Sequence, residues 1–288
     1  MTPAVDGKPA SHPSFSLALG GGGARGLAHI VAIEALDELG VRPRFIAGAS
    51  MGALVGATYA SGMSGRELRD YAFEVLGNRI DTARRLLRHG RSGLTSLFDF
   101  NPFRSAFIDG ETLLDIILPP GTADEFRLLD IPMAIVATDF YDRSERDFDG
   151  GPLKPALAAS IALPGVITPQ IVDGRVLIDG GVSNPLPVDH LTGRGRISVA
   201  VDLTAGGSKP EDGVPSTTDA MFGTIQIMQH AITRAKLAEH PVDVLIRPDV
   251  ARFRVLDFFR VRDVLAASEP VKDELKRKLE DAFTRASA

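Results

Sequence analysis

A chain of 288 residues with a formal charge of −5 at pH 7 and no cysteine excludes disulfides, thiolate catalysis and cysteine-ligated metals, and it suits a reducing cytoplasm. The acidic balance argues against nucleic acid as the main partner. The length is enough to bury a substantial core.

The first fourteen residues, "MTPAVDGKPASHPS", are polar and proline-rich and lack the apolar run of a signal peptide. They read as a disordered leader over 1–14, followed by one domain over 15–288. "FSLAL" reads as a strand, and Ala24 to Leu39 as a helix with Leu27, Ile30, Val31, Ala35 and Leu39 near one face, stopped by Gly40. "RFIAG" is a second strand, followed by a helix from Met51 to about Ala60 that Gly62 closes. "IPMAIVATDF", "RVLID", "RISVAVDL" and "VDVLIRP" read as buried strands between helical or glycine-proline segments. "TAGGSKPEDGVPSTT" reads as a surface loop. The last segment, 268–286, is an amphipathic helix with Val271, Leu275, Leu279 and Phe283 on one stripe. This alternation predicts an α/β fold, a three-layer sandwich with a mostly parallel central sheet. No run reaches the ~20 apolar residues of a membrane-spanning helix, so any membrane contact is expected to be peripheral.

Two glycine-marked loops follow the first two strands. The first, "GGGGARG", satisfies the dinucleotide-binding spacing as Gly21-x-Gly23-x-x-Gly26. That reading requires an acid at the end of the second strand to hold a ribose. Ala49 and Ser50 stand there instead, and Asp37 and Glu38 lie before the strand. No Gly-Lys-Ser/Thr closes the loop either. A dinucleotide-dependent oxidoreductase therefore becomes the minor reading.

The second loop, "GASMG", is Gly48-x-Ser50-x-Gly52 between a predicted strand and a predicted helix. In that context the pattern describes a nucleophile elbow, which exposes a serine at a helix N-terminus; the bland reading is a tight turn. Consecutive parallel strands would place both loops at one sheet edge. Gly21, Gly22 and Gly23 would then present backbone N–H groups beside Ser50, as an oxyanion hole requires. Arg25 would add positive charge there or form a surface salt bridge.

A serine needs a base. His12, His29, His89, His190, His230 and His240 are the histidines, and none follows a glycine-marked strand end. His190, His230 and His240 leave a conventional triad open. Asp179 ends the strand "RVLID" and runs into Gly180-Gly181. If its strand is parallel to the others, its carboxylate reaches the same edge as Ser50; otherwise Asp-Gly-Gly is a turn.

With "GGGARG", "GASMG" and "DGG" in this order, the chain resembles the patatin-like phospholipases. "AASIALPGVITP" resembles a fourth segment of that family, at Ala159, Ser160, Ala162 and Pro164. The resemblance implies a lipid acyl hydrolase with Ser50 as nucleophile, Asp179 as proton acceptor and an oxyanion loop over Gly21–Gly26. It implies no metal, no cofactor and a phospholipid or other acyl-ester substrate; the lack of cysteine and of a spanning run leads to the expectation of a cytoplasmic protein or one resting on the inner membrane face. A noncatalytic lipid-binding protein is the alternative. Residues 83–107 carry Arg84, Arg85, Arg88 and Arg91, then Phe98, Phe100, Phe103 and Phe107. They read as a cap over the acyl site, or as a solvated helix followed by core.

Overall fold

The computed structural model describes residues 12–77, 108–206 and 213–288. Residues 1–11, the proposed cap over 83–107 and the middle of the glycine-proline loop lie outside the described residues. At the end of the expected leader, the His12 ring stacks on Phe283 at 4.8 Å, and the Ser14 carbonyl accepts from the Arg196 and Ile197 N–H groups.

The centre is an eight-stranded sheet. Its strands are β1 (Phe15–Leu19), β2 (Phe45–Ala49), β3 (Met133–Asp139), β4 (Ser144–Phe148), β5 (Gln170–Val172), β6 (Arg175–Asp179), β7 (Ile197–Val201) and β8 (Val244–Ile246). The order is β5-β6-β3-β2-β1-β7-β8, with β4 on the free edge of β3. Strands β3, β2, β1, β7 and β8 are mutually parallel. The pairs β3–β4, β3–β6 and β5–β6 are antiparallel.

The central strands alternate large and small side chains, and the alternation sets the two faces. Leu17, Leu19, Ile46, Met133, Ile135, Val199 and Val201 enter the larger core. Ala18, Ala47, Ala134 and Ala200 face the other way, into a thinner one. Side chains of a strand point alternately to opposite faces, so alanine at every second position lets the covering layer lie close to the sheet. That layer includes Leu186, Val188 and Leu191, with Leu237 packed against them.

On the thick face lie α1 (Ala28–Glu38), α2 (Met51–Ala60), α3 (Gly65–Leu76), α4 (Gly110–Ile117), α5 (Leu153–Ser160), α7 (Val261–Ser268) and α8 (Val271–Ser287). The long α6 (Thr217–Glu239) runs along the other side. In α8, Val271, Leu275, Leu279 and Phe283 are all buried. No helix among the described residues is long and apolar enough to cross a membrane.

The helix expected from Ala24 is in fact two elements, a 3-10 turn over Gly23–Leu27 and then α1. The Ala24 N–H is tied to the distant Val255 carbonyl (2.8 Å), and the Arg25 N–H bonds Gly22 O three residues back, the 3-10 spacing.

Candidate active site

Ser50 links β2 to α2 at φ 53°, ψ −124°, a positive φ that a serine rarely adopts. The elbow closes only because its flanks lack side chains. A Cβ at Gly48 would lie 2.7 Å from Ala53 Cα, and one at Gly52 would lie 2.2 Å from the Leu19 carbonyl oxygen. The Ser50 N–H donates to Ser160 Oγ (2.9 Å), which in turn donates to the Val136 carbonyl (2.6 Å). The strained backbone is thereby pinned to β3.

Asp179 ends β6, and β6 is antiparallel to β3. The parallel arrangement expected from sequence is therefore corrected, and yet the carboxylate reaches the elbow. Val136 pairs with Ala49 of β2, and the next residue, Ala137, pairs with Asp179 of β6. Strand β4 occupies the opposite edge of β3 at both positions. Strands β2 and β6 thus share one edge and meet C-terminal end to C-terminal end. Gly180 then passes over β3 so closely that a Cβ would stand 2.0 Å from Val136 O.

The Ser50 hydroxyl donates to Asp179 Oδ2 at 2.6 Å. The other carboxylate oxygen accepts from the Gly181 N–H at 2.7 Å. The Asp179 N–H donates to Ala162 O (3.0 Å), and its carbonyl accepts from Thr138 Oγ1 (2.9 Å). Burial pushes the Asp179 carboxyl up to about 6, while the Ser50 hydroxyl and Gly181 N–H pull it back. A carboxylate raised in this way is a stronger base and is still ionised at neutral pH.

The structure divides the glycine loop by role. The Gly21 N–H is engaged by Pro185 O (2.8 Å) and so is not a free oxyanion donor. The N–H groups of Gly22 and Gly23 have no backbone acceptor among the described residues. Gly23 takes φ 56°, and a Cβ there would strike Val255 O at 2.4 Å. Gly26 offers space, not a donor, because a Cβ would overlap Met51 Cγ at 2.2 Å.

Arg25 lines the cleft beside Ser50 and Asp179, and it is not the surface salt bridge of its alternative reading. Its side chain is buried, with Nε donating to Phe253 O (2.7 Å) and Nη2 to Gln226 Oε1 (2.8 Å) and Ala251 O (3.3 Å). It lines the cleft as a tie between the loop, α6 and residues 251–253.

None of the described histidines bonds Ser50 Oγ. His29 is wholly buried, held down to about 4 by that burial, and its neutral ring donates from Nε2 to Gly20 O (2.7 Å). His190 Nε2 pairs with Glu145 (2.6 Å), and His240 lies 3.9 Å from Glu239. Glu145, Asp189 and His190 have metal-ligand spacing, but the Lys236 ammonium sits between the two carboxylates, bonded to Asp189 and 3.6 Å from Glu145. With Lys236 the trio forms one hydrogen-bonded network whose carboxylates are already engaged.

Two spaces meet at Gly23, Ser50 and Leu163. One is a cleft of about 30 Å³ over the dyad, rimmed by Gly22, Asp179, Phe222, Gln226 and Gln229, with room for a water or an oxyanion. The other is a cavity of about 350 Å³ lined almost wholly by apolar side chains, about half of them from α2, α3 and α4. Along α2 it is walled by Met51, Leu54, Val55 and Thr58, one face of a helix by their spacing. Sequence reading gave Ser160 no role and missed Phe222, Gln226 and Gln229 altogether. Only the resemblance at Ala159–Pro164 marked the first of these.

A family model for patatin-like phospholipase matches residues 17–192. An uncharacterized NTE family protein of Mycobacterium tuberculosis is 39% identical over 210 residues, 72% of this chain and 54% of that protein. Patatin-like phospholipase domain-containing protein 7 of Rattus norvegicus is 30% identical over 213 residues, 73% of this chain and 15% of that protein. The chain thus spans about half the length of the mycobacterial relative and a smaller share of the rat protein. Among solved structures, VipD of Legionella pneumophila overlays with a TM-score of 0.49 at 13% identity, over 94% of this chain and 67% of that one. Human GIVD cytosolic phospholipase A2 overlays with a TM-score of 0.47 at 13% identity, over 95% and 60% of the two chains. With the family model spanning more than half of its residues, this chain belongs to the patatin-like phospholipase family.

Proposed function

We propose that this protein hydrolyses carboxylic esters of lipids through Ser50 and Asp179. The observation that carries the reading is the 2.6 Å hydrogen bond from the Ser50 hydroxyl to a buried carboxylate, at a strained elbow beside a cavity for an apolar chain. Ser50 Oγ attacks the ester carbonyl as its proton passes to Asp179 Oδ2. The carbonyl oxygen becomes an oxyanion, which the Gly22 and Gly23 N–H groups stabilise together with the dipole of α2. Protonated Asp179 then gives its proton to the departing alcohol, leaving an acyl-serine. Water, deprotonated by Asp179, attacks that ester, the proton returns to Ser50, and the fatty acid leaves. The acyl chain lies in the apolar cavity, so binding removes its surface from water.

Release of fatty acid from a phospholipid and from a lysophospholipid tests the reading. Wild-type protein liberates fatty acid from at least one, and Ser50→Ala and Asp179→Asn do not. Equal release by all three proteins would refute it. A protein that binds these lipids without releasing fatty acid would be a noncatalytic lipid binder.

A further inference from the structure

The rim of the site is apolar and exposed, and it is bordered by arginines. Helix α6 presents an inner side to the dyad cleft through Phe222, Ile225, Gln226 and Gln229. Met221, Ile227 and Met228 are exposed, Ile227 by 72% and Met228 by 53%. With Thr224 and Ala231, also exposed, their spacing makes one outward stripe. Single exposed apolar residues are ordinary, whereas a contiguous stripe marks a contact surface.

Residues 251–262, "ARFRVLDFFRVR", lie beside α6 and carry four arginines and one aspartate in a chain of net charge −5; Arg260 pairs with the next acid, Asp263, at 2.9 Å. Arg252, Arg254, Leu256, Phe259, Arg260 and Arg262 are exposed. The two elements are physically joined. Arg254 Nε lies 3.6 Å from Asp219 at the start of α6, and Arg25 bonds both Gln226 of α6 and Ala251 O. Val255 lines the dyad cleft, and Leu256, Phe258 and Phe259 line the apolar cavity. Residues 251–262 are therefore continuous with both spaces.

We infer that this face, formed by the outer stripe of α6 and residues 251–262, docks on a bilayer that carries anionic lipid headgroups. The apolar side chains enter the headgroup boundary while Arg252 and Arg254 pair with phosphates. Charge complementarity favours this occupant, because residues 251–262 concentrate four arginines in a chain of net charge −5. Leu256 and Phe259, exposed and lining the cavity, then lie against the acyl chains. The inference extends the proposed hydrolysis to its surface, and binding is measured apart from turnover so that either can fail alone.

The test is flotation of the full chain, as Ser50→Ala, with phosphatidylcholine vesicles with and without phosphatidylglycerol. The protein is expected to float with the anionic vesicles and to be released by salt. Arg252→Glu/Arg254→Glu and Ile227→Glu/Met228→Glu are each expected to weaken binding by about tenfold or more, from roughly fivefold per arginine near a charged surface. In the Ser50 background, both double variants should keep wild-type hydrolysis of a soluble short-chain ester, which shows that they are folded. The inference fails if neither vesicle binds, or if either double variant floats as well as its parent. It is also overturned if Ile227→Glu/Met228→Glu converts a dimer to a monomer in size-exclusion chromatography, which would assign the stripe to a second copy. Vesicle binding without any ester hydrolysis would instead sink the proposed function and leave this face standing.

Discussion

Ala49 and Asp179 occupy successive places along one edge of β3, opposite Val136 and Ala137 respectively. One strand arrives parallel and the other antiparallel, so their C-terminal ends abut, and Ser50, one residue beyond Ala49, meets the carboxylate. The dyad is thus registered by main-chain hydrogen bonds to a central strand. Such bonds resist displacement better than a contact between two loops does.

The pH profile follows from the state of Asp179. Burial raises its carboxyl to about 6, and a general base works only when ionised. The kcat/KM for a soluble ester is therefore expected to be flat above about pH 7 and to fall about tenfold per unit below about pH 6. Asp179→Asn should lower kcat by roughly 10,000-fold or more, since loss of a triad's orienting aspartate costs about that much and loss of its base costs more. An acid limb near pH 4 would show that another group, or an unburied carboxylate, limits the rate.

The same shift has a cost in stability. A carboxyl raised above its ordinary 3.8 binds its proton more tightly in the folded state. Stability from this group is full below about pH 4 and is lost as pH rises through about 6. Asp179→Asn, which never ionises, should be more stable than wild type at pH 8, by on the order of 2–3 kcal/mol. The gap should close by pH 4. Chemical denaturation at the two pH values measures both, and an Asn variant less stable than wild type at pH 8 would contradict the burial argument.

Ser160 is a positioning residue. Its hydroxyl joins the Ser50 N–H to Val136 O, so Ser160→Ala leaves a buried donor and a buried acceptor unpaired. The expected loss of stability is about 1–3 kcal/mol. The elbow also loses its anchor, and kcat should fall with KM nearly unchanged. A purely structural role would lower stability and leave the kcat of the remaining folded enzyme intact.

Much of this was legible in the sequence, for reasons that also explain the gaps. Strands β1, β2, β3, β7 and β8 are buried and read as apolar runs, as strands covered on both faces do. Strand β4, "SERDF", and strand β5 are partly or fully exposed and carry no such signal. The elbow and the Asp-Gly-Gly corner were visible because glycine is required where backbones nearly touch. The direction of β6 was not, since pairing is a tertiary fact. Ser160 sits at the end of an apolar helix, where a serine looks neutral until its partners are known. The three acceptors of Arg25 were not legible, because no local pattern announces an arginine bonded to distant groups.

Chain-length preference should follow α2. Met51 to Thr58 wall the cavity and span about 10 Å at ~1.5 Å per residue. An extended chain advances ~1.3 Å per carbon, the projection of a ~1.5 Å bond, so about eight carbons lie alongside this helix. Ala72 faces the cavity from α3, and Ala72→Phe should lower kcat/KM for long-chain esters by tenfold or more, since several buried methylenes at ~0.8 kcal/mol each are displaced. Four-carbon esters should be unaffected. An equal loss for short and long esters would place the acyl chain elsewhere.

The account's central claim is that Ser50 is a nucleophile activated by Asp179. It is tested most directly by labelling with a lipid-like fluorophosphonate, mapped by peptide mass, on wild type and Asp179→Asn. The predicted result is a single adduct on Ser50 that forms rapidly in wild type and is lost or greatly slowed in the variant. An adduct that forms equally fast in Asp179→Asn, or a folded wild-type protein that forms none even with detergent or vesicles present, would contradict the claim.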